Sequence, residues 1–100
     1  MKELTNHIDQ IRAICKANKV ASLFAFGSVT TDKFNAESDI DLIIDIDEND
    51  PFDYTDHDYA VKDGLSKILK RPIDLLETKS LKNSFLKKEI EQSKVLVYGR

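Results

Sequence analysis

From Asp39 to Asp47 the chain sets acids against branched aliphatics: Asp39 and Asp41 fall on one parity, Ile40, Leu42, Ile44 and Ile46 on the other. A period of two is that of an extended strand with one face buried, so the four aliphatics belong to the core and the acids border a cleft or solvent. Two residues apart on a strand places the Asp39 and Asp41 Cα atoms roughly 6 to 7 Å from each other on one face. At that spacing two carboxylates can share a divalent metal. Upstream, Gly27-Ser28 ends an apolar run and is separated from Asp39 by ten residues. Glycine at such an abrupt strand end allows unusual dihedrals and close approach of backbone to a ligand.

The 100 residues, 41% hydrophobic, suit one globular domain spanning residues 1–100. No apolar run approaches the ~18 residues of a membrane span, and the charged start MKELTNHIDQ does not read as a secretory signal, so the expected location is cytoplasmic. Cys15 is the one cysteine and has no ligand-like neighbours. It reads as a small buried helix residue, without redox or zinc chemistry. His7 and His57 stand alone in polar stretches and read as surface residues, while Tyr54, Tyr59 and Tyr98 read as aromatic packing.

Net charge is −3, but ten of the 18 acids lie between Glu37 and Asp58, where there is no Lys or Arg, and ten of the 15 basic residues follow Val61. The acidic centre attracts cations and makes long nucleic acid a poor substrate; the basic last third could face a phosphate-bearing or acidic partner. Residues 47–58 read mainly as a solvated loop. A calcium-binding acidic loop at residues 45–58 is the weaker reading, since the spacing lacks the Gly at position 6 and the Glu at position 12 of an EF-hand loop.

Helical periodicity of Leu4, Ile8, Ile11 and Ile14 or Cys15 predicts an amphipathic helix over about residues 3–18. Val20 to Phe26 reads as a buried strand, and Ser38 to Asp47 as the next. Pro51 marks a loop, after which Tyr54, Asp58, Val61 and Leu65 trace a second helix to about Lys70, with Gly64 a weak point inside it. Ile73 to Glu77 reads as a third strand, Leu81 to Ile90 as a third helix and Val95 to Tyr98 as the last strand. Strands alternating with helices predict an α/β (α+β) domain, helices packed on a mixed four-stranded sheet. On the third strand Asp74 sits among Pro72, Ile73, Leu75 and Leu76, where a carboxylate needs a cation or hydrogen-bond donors. Either it is a third metal ligand, or it is an edge aspartate paired with Arg71 or a lysine.

Gly27-Ser28, Ser38-Asp39-Ile40-Asp41-Leu42 and Pro72-Ile73-Asp74-Leu75-Leu76 together resemble the DNA polymerase β type nucleotidyltransferases, most closely the minimal nucleotidyltransferases paired with helical HEPN proteins in prokaryotic toxin-antitoxin systems. The resemblance runs over roughly residues 20 to 77. It implies a polymerase β-like fold and transfer of AMP from ATP to an acceptor hydroxyl. In such a site two magnesium ions, or manganese, about 3.5 to 4 Å apart clamp the attacking and leaving oxygens, and all-oxygen ligands suit magnesium. By resemblance Asp39 and Asp41 bridge the metals, Asp74 completes the acceptor side, and Gly27, Ser28 and Ser38 hold phosphates. Relatives often carry arginine in a Gly-Ser-x-Ala-Arg-Gly run, but Thr31 stands at its place here; Lys33 is the candidate substitute.

A chain this short leaves little for a lobe that recognises an acceptor, so by resemblance the acceptor is a tyrosine of a HEPN toxin and the protein an antitoxin. The rival reading is a non-catalytic antitoxin that neutralises its partner by binding. Self-association is open on either reading.

Overall fold

The computed structural model describes residues 1–99. The alternating segment forms strand β2 (Ile40–Ile46), with Ile40, Leu42, Ile44 and Ile46 fully buried. β1 (Val20–Phe26) pairs with it antiparallel, setting Leu23 opposite Ile44 and Phe26 opposite Asp41. β3 (Ile73–Glu77) runs parallel along the other side of β2, and β4 (Val95–Gly99) runs antiparallel along the free side of β1. The order β3-β2-β1-β4 is the mixed four-stranded sheet that the pattern predicts. A one-residue slip of β2 would turn its four aliphatics to the wrong face. At about 1.5–3 kcal/mol each that loss rivals the ~5–15 kcal/mol stability of a whole domain. The side on which Asp41 stands is therefore fixed by the core.

The predicted first helix is two: α1 (Lys2–Thr5) and α2 (Ile8–Ala17). His7 between them adopts φ −122°, ψ 22°, outside helical geometry, and Asn6 beside it is a residue whose side chain competes for backbone hydrogen bonds. Leu4, Ile11 and Cys15 nonetheless all reach the core, which is why the periodicity ran across the break. Burial pushes the Cys15 thiol up to about 12, as befits an inert packing residue.

Pro51 opens a helix where a loop was predicted. In α3 (Pro51–Leu69) the Asp50 carboxylate accepts from the backbone N–H groups of Phe52 at 2.9 Å and Asp53 at 3.2 Å, and Pro51 takes a first-turn position that needs no N–H. The expected solvated stretch at 47–58 thus becomes helical from Pro51, with Tyr54 and Asp58 half-buried. His57 is likewise half-buried, its Nδ1 3.0 Å from Asn18 Oδ1, and so ties α3 to the end of α2. Gly64 is what lets those helices approach: a Cβ there would lie 2.9 Å from Ile14 Cδ1. Val61 and Leu65 of α3 complete the core under the sheet.

The last helix, α4 (Ser84–Ser93), is capped by Asn83, whose side chain accepts from the N–H groups of Phe85 and Leu86 at 3.0 and 3.1 Å. Its Ile90 is buried outside the main core cluster. Among the described residues no helix is long and apolar enough to cross a membrane.

Candidate active site

β1 ends in a 3-10 turn, Gly27–Thr30, pinned by buried Val29. The Thr30 hydroxyl donates to Gly27 O at 2.7 Å and the Thr31 hydroxyl to Ser28 O at 2.9 Å, so the turn is closed from within. Gly27 has φ +73°, a conformation open to glycine and strained for other residues. It also has no room for a side chain, since a Cβ would stand 2.6 Å from Asp41 Oδ2. The Gly-Ser turn and the first strand acid are therefore in contact across β1 and β2, despite the intervening loop.

Parallel pairing of β2 with β3 sets Asp41 directly beside Asp74. Asp39 precedes the first residue of β2 and is exposed, as is Asp74, while Asp41 is half-buried. Burial first, then the negative charges of Asp74 and Asp39, push the Asp41 carboxyl above the ordinary carboxylate range. Asp41 thus sits within electrostatic reach of both other acids. No ion pair among the described residues engages any of the three. No group of three or more His, Cys, Asp or Glu among the described residues is arranged to hold one metal ion, so the acids stand as near neighbours rather than as a finished ligand set. An all-oxygen donor set with unneutralised negative charge fits a hard divalent cation such as magnesium in chemical type.

Arg71 is not the partner of Asp74. Its Nη1 donates to the carbonyls of Asn35 at 2.8 Å and Ser38 at 2.7 Å, and its guanidinium lies 4.4 Å from the Phe34 ring centroid. That side chain fastens the loop between the Gly-Ser turn and β2 to the start of β3, and so positions all three acid-bearing segments. Sequence reasoning weighed Arg71 only as a salt-bridge donor; the usable signal was its place just before Pro72, whose carbonyl accepts from Ile40 N–H at 3.1 Å. Ser38 is drawn into the same loop, its Oγ accepting from Asn35 N–H at 3.1 Å, which leaves its own proton free to donate. Thr31, at the place of the relatives' arginine, turns its hydroxyl inward and also accepts from Lys33 N–H at 3.2 Å. Lys33 is exposed.

The sequence profile of the family described as "Polymerase beta, Nucleotidyltransferase" matches residues 9–100. A Methanocaldococcus jannaschii protein named "Putative protein adenylyltransferase" is 35% identical over 79 residues, which are 79% of this chain and 78% of that one. The fold is similar to that of a chain in a toxin-antitoxin crystal structure with AMP-PNP, with a TM-score of 0.72, 19% identity and coverage of 93% of this chain and 73% of the other. It is also similar to a chain in the structure of a tri-AMPylated Shewanella oneidensis HEPN toxin in complex with MNT antitoxin, with a TM-score of 0.66, 17% identity and coverage of 97% and 73%. With a Gly-Ser turn seated on a strand carboxylate and a second acid in register beside it, and with a profile match over nearly its whole length, the chain belongs to the polymerase beta nucleotidyltransferase family of enzymes.

Proposed function

We propose that this protein transfers AMP from ATP to a tyrosine hydroxyl of a HEPN-type helical partner in the cytoplasm, and silences that partner as an antitoxin. The observation that carries the reading is Asp41 wedged between Gly27 and Asp74, which brings a phosphate-sized turn, a strand acid and a second acid to one end of the sheet. The names of similar proteins lend it support: one is a protein adenylyltransferase, and others are seen with an AMP-modified HEPN toxin or with an ATP analogue.

In this reading the acceptor oxygen attacks the α-phosphorus of ATP, a P–O bond forms, the bond to the β-phosphate bridging oxygen breaks, and pyrophosphate departs. The hydroxyl proton passes to Asp74, the acid on the outer strand. Ser28 and the backbone of the Gly27 turn orient the terminal phosphates, with Ser38 and Lys33 at the loop as further donors. Asp39, Asp41 and Asp74 are the residues that would hold two magnesium ions or manganese, which when bound neutralise the polyphosphate. Asp41, already burdened by its neighbours' charge, has the most to gain from such a cation.

The test is incubation with α-labelled ATP, magnesium and a HEPN-type helical protein that forms a complex with this chain. Label on a partner tyrosine, lost on addition of EDTA and in Asp39→Asn/Asp41→Asn, is the expected result. No label on a folded complex overturns the reading. A non-catalytic antitoxin is the second reading, favoured by Thr31 spending its hydroxyl inside the turn where relatives offer an arginine. It predicts that the double Asn variant still neutralises the partner in full.

A further inference from the structure

We propose that the groove between the end of β1 and helix α4 is the subsite for the nucleobase of the nucleoside triphosphate. This rests on the nucleotidyl-transfer reading above and assigns that site its second half. The groove encloses 410 Å³ beside Gly27. That lies within the ~300–1,000 Å³ of small-molecule sites and leaves room for a purine base. Its walls are Phe26, Leu86 and Ile90, and its rim carries Glu89 and Gln92. Phe26 pairs directly with Asp41 across β1 and β2, so the two side chains share one face of the sheet. Leu86 and Ile90 are one helical turn apart and present one side of α4 to it.

Two features decide what the groove takes. Among the described residues no Lys or Arg lines it, and Glu89 stands at its edge, so phosphate is repelled and a neutral ligand is favoured. An aromatic face, two aliphatic walls and the Gln92 amide, which can both donate and accept, match a flat heteroaromatic base with edge donors and acceptors. Sheet order then separates it from the acceptor. Along β3-β2-β1-β4, Asp74 lies on one side of Asp41 and the groove on the other. An acceptor hydroxyl arriving at Asp74 leaves the β1 side to the nucleotide.

Calorimetric titration in magnesium with ATP and, separately, with inorganic tripolyphosphate separates base from phosphate. Gln92 is exposed on α4, so Gln92→Trp fills the groove without entering the core; Phe26→Ala removes the stacking face. Both are expected to weaken ATP binding about tenfold, the scale of one lost base–aromatic stack, and to leave tripolyphosphate affinity unchanged. Equal weakening of both ligands, or unchanged ATP affinity in both variants while the wild type transfers AMP, overturns the groove assignment alone. Absence of ATP binding by the wild type overturns it together with the transfer reading.

Discussion

Replacing Gly27 by alanine tests the contact on which the site is built. Two costs add. A non-glycine residue at φ +73° is disfavoured by about 1–2 kcal/mol. The new Cβ, 2.6 Å from Asp41 Oδ2, forces that carboxylate away from its rotamer at about 0.5–1.5 kcal/mol. The entropic gain of Gly→Ala in the unfolded chain returns part of this, about 0.4–1 kcal/mol, leaving a net loss near 2 kcal/mol. In a domain of this size that is a fall of roughly 8–16 °C in Tm. With no Trp in the chain, urea unfolding is best followed by far-UV circular dichroism. A double-mutant cycle sharpens the result. In an Asp41→Ala background the clash partner is gone and only the backbone term remains, so Gly27→Ala should cost about 1 kcal/mol less there; in Asp41→Asn, whose amide fills the same space, it should cost what it does in the wild type. If the penalty is equal in the Asp41→Ala and wild-type backgrounds, turn and carboxylate are not in contact and the site described above is wrong.

Arg71→Ala should cost about 2–4 kcal/mol, from a charged hydrogen bond to the half-buried Ser38 carbonyl, a solvent-weakened one to the exposed Asn35 carbonyl and a stack on Phe34. Hydrogen exchange over residues 31–40 should quicken in the same variant, and unchanged exchange there would contradict the tie. Asp41→Asn should stabilise the ligand-free protein at pH 7 while lowering transfer by about 10²-fold or more, since the lost carboxylate supports several kcal/mol of charge neutralisation. Because the folded-state value of Asp41 lies above the ordinary 3.8, the folded form binds that proton more readily, and wild-type stability from this group rises as pH falls through the raised value towards 3.8. The gap between Asp41→Asn and wild type should therefore shrink on acidification from pH 7, and a pH-independent gap would contradict the crowding of acids. Cys15, fully buried with its thiol raised to about 12, should react with iodoacetamide at pH 8 only at the rate of global unfolding, so prompt labelling of folded protein would contradict its place in the core.

The strands were legible because each carries its own period. β2 declares itself by alternation, and β3 by Pro72 and a short apolar run. The helices were less so at their starts. Asp50-Pro51 is a capping residue followed by the one residue that suits the first helical position, yet the surrounding acids gave the segment the composition of a loop. Composition describes solvent contact, whereas the cap describes backbone geometry, and geometry decided. The break at Asn6 and His7 escaped notice for the opposite reason. Leu4 and Ile11 lie seven residues apart, a spacing that an unbroken helix and a helix–turn–helix both satisfy when one core receives them.

For the site, the sequence supplied the acids but not their mutual arrangement. Nothing local states that β3 pairs parallel to β2 with Asp74 opposite Asp41, because that register is set by which aliphatics reach the core: Ile40 is buried beside Ile73 and Leu42 beside Leu75, and the acids follow between them. The same logic governs Gly27. Its glycine identity is compatible with many turns, but the Phe26–Asp41 pairing puts this one against a carboxylate, and only a residue without a Cβ tolerates both the φ and the neighbour. Core packing thus does the positioning that the proposed site needs. It holds three acids at the open end of the sheet, where Asp41 is burdened by burial and by the charges of Asp74 and Asp39, and no ion pair among the described residues engages any of the three. An arrangement that is unfavourable for Asp41 by itself makes sense if a cationic ligand completes it, and that is the argument by which the chemistry of this end of the sheet, set against the missing arginine at Thr31, supports the proposed transfer over binding alone.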